Sequence, residues 1–161
     1  MNQSTLLANA RLAAMMQVSI GDAILGCFDS KYYFDAWRPR TAIPVAATDG
    51  NAATIADAGW APFAASPNHP EYPSGHSCIA GAVAEVVKSH YGTPKVPFTW
   101  TSTATGTAHS YDSVYEMIRE IKAARVHGGM HFRFANDDGA TLGRRTAQWV
   151  VRNYFQPVGG R

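Results

Sequence analysis

Apolar residues recur at the three-and-four spacing of a buried helix face through most of this chain, while segments rich in β-branched residues are scarce. Leu12, Met16, Ile20, Ala23, Ile24 and Cys27 form the first such stripe, in a segment covering 4–27 and continuing towards Trp37. It must stop by Arg38, because Pro39 drives the residue before it out of helical backbone. A second helix is expected over 74–91, with Gly92 and Pro94 as stop signals. A third opens at Ser113, where Ser113 and Glu116 have capping-box spacing, and ends about Gly128 and Gly129. The last is expected over 138–155, ending before Pro157. Only 98–107 is strand-like, and its alternation is poor. The pattern predicts an all-α fold.

The 161 residues suit one domain, spanning 1–161, with a real core. A hydrophobic fraction of 46% and a charged fraction of 16% are those of a globular protein. With a net charge of +2 and no run of Lys or Arg, nothing points to nucleic acid. No membrane span is expected, since Arg11, Asp22, Glu85 and Lys88 interrupt the longest apolar candidates. Residues 1–5 carry no positive n-region of a signal peptide, so the expectation is a soluble, cytoplasmic chain. Cys27 and Cys78 sit in helical patterns without metal spacing, as reduced core residues do. Residues 41–73, rich in Pro, Ala, Asn, Asp and Gly, read as a long ordered loop, of a length usually tied to function.

Polar groups break the helical pattern in three places. Val114, Ile118 and Ile121 are followed at the next stripe position by Arg125. Ile79, Val83 and Val86 project back onto His76. Lys31 and Arg38 are seven apart, about two turns, which puts them on one side if the first helix persists. Each could be an ordinary paired core residue. Several inward cations without an equal number of acids are harder to accommodate, because unpaired buried charge is very costly. A bound anion removes that cost. Pro73-Ser74-Gly75-His76-Ser77 lies where a helix begins, where free N–H groups and the helix dipole favour an anion. Ser74 can donate a hydrogen bond, Gly75 admits close backbone approach, and Arg provides a forked pair of donors.

These residues resemble a three-part signature. Its parts are Lys31 with six residues before Arg38-Pro39, then Pro73-Ser74-Gly75-His76, then Arg125 with five residues before His131. The segments 31–39, 73–77 and 125–131, in this order, are similar to those of the vanadium-dependent haloperoxidases and the soluble relatives of type 2 phosphatidic acid phosphatases. The resemblance implies a helical bundle of that family's type. It implies that Lys31, Arg38 and Arg125, with Ser74 and the Gly75 N–H, grip the oxygens of vanadate or phosphate. It implies further that His131 is the axial group, ligating vanadium in a haloperoxidase or carrying the phosphoryl group in a phosphatase. His76 is then the general acid/base. His127, Arg133 and Asp137 are candidates for support around the site, and His69 belongs to the loop entering it.

Two departures stand out. The family pattern begins its third part with Ser and has Asp four residues after the axial His. Here Ala124 and Ala135 occupy those positions, which leaves any carboxylate orienting His131 absent or displaced. Relatives also carry additional helices before the Lys-bearing segment, where this chain has one. Apolar faces would then be exposed, which implies a homo-oligomer. The shared signature admits three functions. The sequence around 37–43 and 70–76 looks more like the haloperoxidase branch, with vanadate as cofactor and hydrogen peroxide and halide as substrates. The alternatives are a soluble phosphatase acting on a small phosphate ester through a phosphohistidine, and an inactive anion-binding or assembly domain.

Overall fold

The computed structural model describes residues 5–156. Helix α1 (Leu6–Phe34) is capped by Thr5, whose hydroxyl accepts from the Ala8 N–H at 3.1 Å. Its buried residues, Met15, Ser19, Ala23, Cys27 and Lys31, follow one another at intervals of four. The helix ends at Asp35 in the left-handed region, with φ 44°. Arg38 then caps a short helix, α2 (Pro39–Ala42), followed by a 3₁₀ turn (Ile43–Thr48) and an irregular loop. Helix α3 (Gly75–Tyr91) begins after Ser74 and ends on Gly92 at φ 71°. A hairpin, β1 (Phe98–Thr101) and β2 (Ala108–Tyr111), precedes α4 (Val114–His127) and α5 (Arg133–Asn153).

The fold is therefore mostly helical, as expected, with two corrections. Residues 98–111 form an antiparallel hairpin with Phe98 opposite Tyr111 and Thr101 opposite Ala108. A second correction concerns α5, which starts five residues before the expected position. No side chain of its own caps it. The carboxylate of Glu71 accepts from the Phe132 N–H at 2.9 Å, so the cap comes from a distant segment. The expected starting residue Ser4 and the stop at Pro157 lie outside the described residues, as does the charge reading of residues 1–4.

Packing is closest between α3 and α5, and α1 packs against both. The buried face of α5 is built from small residues at intervals of four: Ala135, Gly139, Gly143 and Ala147. A Cβ at Gly143 would collide with the Cys78 carbonyl, and one at Gly81 with the Ala140 carbonyl. Backbone thus meets backbone where the two helices cross, and larger side chains would hold them apart. Met15, Ala23, Ala82, Val86 and Ala147 form the core, flanked by Leu12, Met16 and Val151. Cys27 and Cys78 are buried free thiols, as expected.

The membrane expectation needs amending. Residues 6–48 contain a window long and apolar enough to cross a membrane by length and composition, although only 22% of it is buried inside the structure. Helix α1 packs here against two other helices along a buried stripe that holds a serine and a lysine.

Candidate active site

The three signature segments converge. Lys31 ends the buried stripe of α1 and is 0% exposed. Its ammonium donates to the carbonyls of Pro70 at 2.8 Å and Glu71 at 3.1 Å, leaving one N–H uncommitted to these two. Burial pushes its pKa down to about 8, with the Arg38 charge adding to that push and Glu71 opposing it. The helix does not persist to Arg38. The turn at Asp35 and an extended stretch bring that residue inward, and it is 4% exposed.

Arg38 braces two segments. Its Nε donates to the His69 carbonyl at 3.0 Å, and its Nη1 donates to the Met130 carbonyl at 2.8 Å. Nη1 also reaches His131 Nε2 at 3.1 Å, while Nη2 reaches His69 Nδ1 at 3.1 Å. Arg125 lies at the last turn of α4 and donates from Nη2 to Met130 Sδ at 2.8 Å. The turn that follows requires glycine. Gly129 has φ 71°, and a Cβ there would lie 2.9 Å from Pro62 Cα.

His131 is 4% exposed and held from both sides. Its Nδ1 lies 2.9 Å from Glu71 Oε1, which also accepts the Phe132 N–H. A guanidinium only donates, so Nε2 is the accepting nitrogen and Nδ1 carries the hydrogen. Burial pushes the His131 pKa down, as do the Arg38 and Lys31 charges, against the Glu71 hydrogen bond. The ring is accordingly neutral at neutral pH, with its Nε2 lone pair facing the basic groups.

A cavity of about 210 Å³ opens onto this arrangement. Gly75, His76, Arg125, His131 and His69 line its polar side, and Ile24, Phe28, Pro67 and Ile79 its apolar side. Lys31, Arg38 and Ser74 are not among the lining residues, and Arg38 joins the cavity through its hydrogen bonds to His131 and His69. His76 is exposed at the cavity mouth rather than carried on the core stripe, because α3 buries the neighbouring Ser77 and Cys78 face against α5. Its pKa is depressed by desolvation, then by Arg125, His69 and Lys31. Among the described residues, the buried Ser74 hydroxyl has no partner and the buried Arg125 Nε has no acceptor. A Cβ on Gly75 would meet nothing within 4 Å, so the space beside the start of α3 is open.

The supporting candidates do not gather here. His127 and Arg133 are exposed, and Asp137 pairs with Lys122 on another face of α5. Asp138 accepts from the Tyr72 hydroxyl at 3.0 Å. Ala135 is 0% exposed, and its carbonyl accepts the Ser74 N–H at 2.9 Å. Two residues of the loop take part: Glu71, which the sequence did not single out, and His69, expected only as part of the loop entering the site. Glu71 supplies the carboxylate beside His131. His69 packs on Phe28 at a ring distance of 5.2 Å and lines the cavity. The only sequence signal for either is their place just before Pro73-Ser74-Gly75-His76.

A helical bundle thus brings its three signature segments together around one cavity, with Arg125, His76 and His131 in the lining and Arg38 bonded to His131. The chain belongs to the family described as the VCPO second helical-bundle domain, which it matches over residues 11–160. It is similar to the vanadium chloroperoxidase of Curvularia inaequalis, with 34% identity over 92 residues, covering 51% of this chain and 14% of the relative. A bacterial vanadium-dependent iodoperoxidase superposes with a TM-score of 0.78 at 28% identity, over 89% of this chain and 33% of the other. An apo-type bacterial vanadium-dependent chloroperoxidase shares the fold, with a TM-score of 0.73 at 20% identity, over 88% of this chain and 35% of the other. The chain thus spans about a third of these solved relatives and less of the curated one.

Proposed function

We propose that the cavity binds vanadate and that the chain supports vanadate-dependent oxidation of halide by hydrogen peroxide. The observation that carries this reading is a pair of polar atoms, Ser74 Oγ and Arg125 Nε, buried without a partner among the described residues, with Arg125 lining the same cavity as His131. Buried polar groups are rarely left unpaired, and a tetrahedral oxyanion offers acceptors to both. The residues fit such a group. Ser74, Arg125, Arg38 and the remaining N–H of Lys31 would hold its oxygens, and His131 Nε2 would hold its centre. Arg38 Nη1 donates to Nε2 in the unliganded chain, and a bound oxyanion would take over both groups.

Bound vanadate would supply a Lewis-acidic centre that activates hydrogen peroxide towards halide. The remaining work falls to the chain. Two guanidiniums and an ammonium stabilise negative charge in a recess shielded by Ile24, Phe28 and Ile79. His76, at the mouth and with its pKa lowered, is neutral near pH 7 and can take up a proton from an incoming acid and return it. Loss of the family Asp does not weigh against activity, because Glu71 leaves His131 with a carboxylate partner.

The same neutral His131 could serve as the nucleophile of a phosphatase, with phosphate as the substrate group and no cofactor. Calorimetric titration of phosphate-free protein with orthovanadate, then halide oxidation with peroxide and hydrolysis of a generic phosphate ester, separates the readings. Binding with halide oxidation is the expected result. Binding with hydrolysis alone would assign a phosphatase, binding without turnover an anion-binding domain. Absence of binding would overturn all three. Leu6, Leu25 and Trp149 are 86%, 71% and 55% exposed, which supports self-association, checked by sedimentation over a concentration series.

A further inference from the structure

We infer that Glu71 is the positioning residue for His131, replacing from a distant loop the carboxylate that Ala135 cannot supply. The inference rests on the oxyanion reading of the site but has its own geometry. Glu71 Oε1 accepts from two donors, His131 Nδ1 and the Phe132 N–H, each at 2.9 Å. Glu71 is 0% exposed, so no water competes for that oxygen. Oε2 is buried without a partner, which leaves those two N–H groups as the direct partners of the carboxylate among the described residues.

The backbone of the same residue is anchored at the other end of the site. Its N–H donates to the Ala36 carbonyl at 2.9 Å, and its carbonyl accepts from Lys31. One residue therefore joins the end of α1, the loop before α3 and the turn before α5. Ala135, at the family position for the carboxylate, is fully buried, and its carbonyl accepts the Ser74 N–H.

Two consequences follow for His131. The Oε1 acceptor and the Arg38 donor both demand hydrogen on Nδ1, so Nε2 keeps its lone pair, which accepts from Arg38 in the unliganded chain. A carboxylate partner also makes Nε2 a stronger donor ligand than a ring bonded to a neutral acceptor. Arg38 and Lys31, the charged groups facing this pair, act in the opposite direction on the ring.

The test is Glu71→Gln, which keeps the shape and an acceptor oxygen but removes the charge. In the unliganded wild-type chain, the His131 Nδ1–H should give a protected, far-downfield proton resonance, identified by its loss in His131→Gln. In Glu71→Gln it should move upfield while the protein still unfolds cooperatively. Orthovanadate affinity should fall about 10–100-fold. If Glu71→Gln misfolds, Glu71→Asp, one methylene shorter, provides the second comparison and should also displace the resonance. An unchanged resonance with unchanged affinity would overturn the inference. If wild-type protein binds no orthovanadate, the oxyanion reading falls, and the resonance alone decides the His131–Glu71 pairing.

Discussion

Replacing Gly139 by alanine tests whether the site depends on the closeness of α3 and α5. The new Cβ would lie 2.6 Å from the Ser74 carbonyl oxygen, 3.2 Å from Ser77 Cβ and 3.3 Å from the Ser74 nitrogen. Carbon contacts are most favourable at about 3.5–4.0 Å, so α5 must withdraw from α3 by roughly 1 Å. The obstructing atoms are mostly backbone and cannot rotate away. Overpacking of this kind costs about 1–3 kcal/mol. Alanine gains about 1 kcal/mol over glycine in a helix interior. The expected net effect is a loss of up to about 2 kcal/mol, or up to about 8 °C in Tm for a chain of this size. Gly21, exposed on α1, is the control, because a Cβ added there would meet nothing within 4 Å. Gly21→Ala should stabilise by about 0.5–1 kcal/mol, because only the propensity gain remains. Urea unfolding followed by far-UV circular dichroism measures both, with equal slopes required for the comparison. Gly139→Ala should also weaken orthovanadate binding, since the shift acts directly on Ser74. A Gly139→Ala protein as stable as Gly21→Ala would refute the packing argument.

Arg125→Ala should abolish measurable orthovanadate binding, while His76→Ala should retain binding and lose turnover. Calorimetry and peroxide-dependent halide oxidation on the same samples separate these effects, and full turnover by His76→Ala would remove that residue from proton transfer. Sulfate keeps one charge state across the alkaline range, so its affinity reports the cradle alone. It should decline as pH rises through about 8, where Lys31 loses its proton, and Lys31→Met should flatten the decline. Folding stability should fall on acidification below the ordinary histidine value of 6.5. His69, His76 and His131 all have lowered pKa values, so the unfolded chain binds protons first and stability grows with pH through that window. A stability profile flat between pH 7 and 5 would contradict the assignment of three neutral histidines.

Much of the site was legible before the structure, because its cations occupy positions that a helical pattern reserves for apolar residues. Arg125 follows Val114, Ile118 and Ile121 on one stripe, and Lys31 falls at the end of the stripe through Cys27. Local chemistry likewise marked Ser74 as a helix start and Gly92 as a helix stop. Arg38 does not share a helical face with Lys31: α1 breaks at Asp35, and an extended stretch buries the guanidinium.

Glu71 could not be found this way. It lies 60 residues from the histidine it contacts, and a carboxylate in a Pro-rich loop carries no periodic signal. Its capture of the Phe132 N–H also explains why α5 starts at Arg133, where no local cap is present. The same holds for Gly139 and Gly143. In sequence they are small residues that weaken a helix, and only the crossing of α3 over α5 turns them into a requirement. Sequence by itself determined the helical periodicity, the caps and the set of inward cations, because these depend on neighbours within a turn or two. Which acid meets His131, how far the histidines are exposed and how closely the helices approach depend on groups distant in the chain. Those were decided by tertiary packing alone.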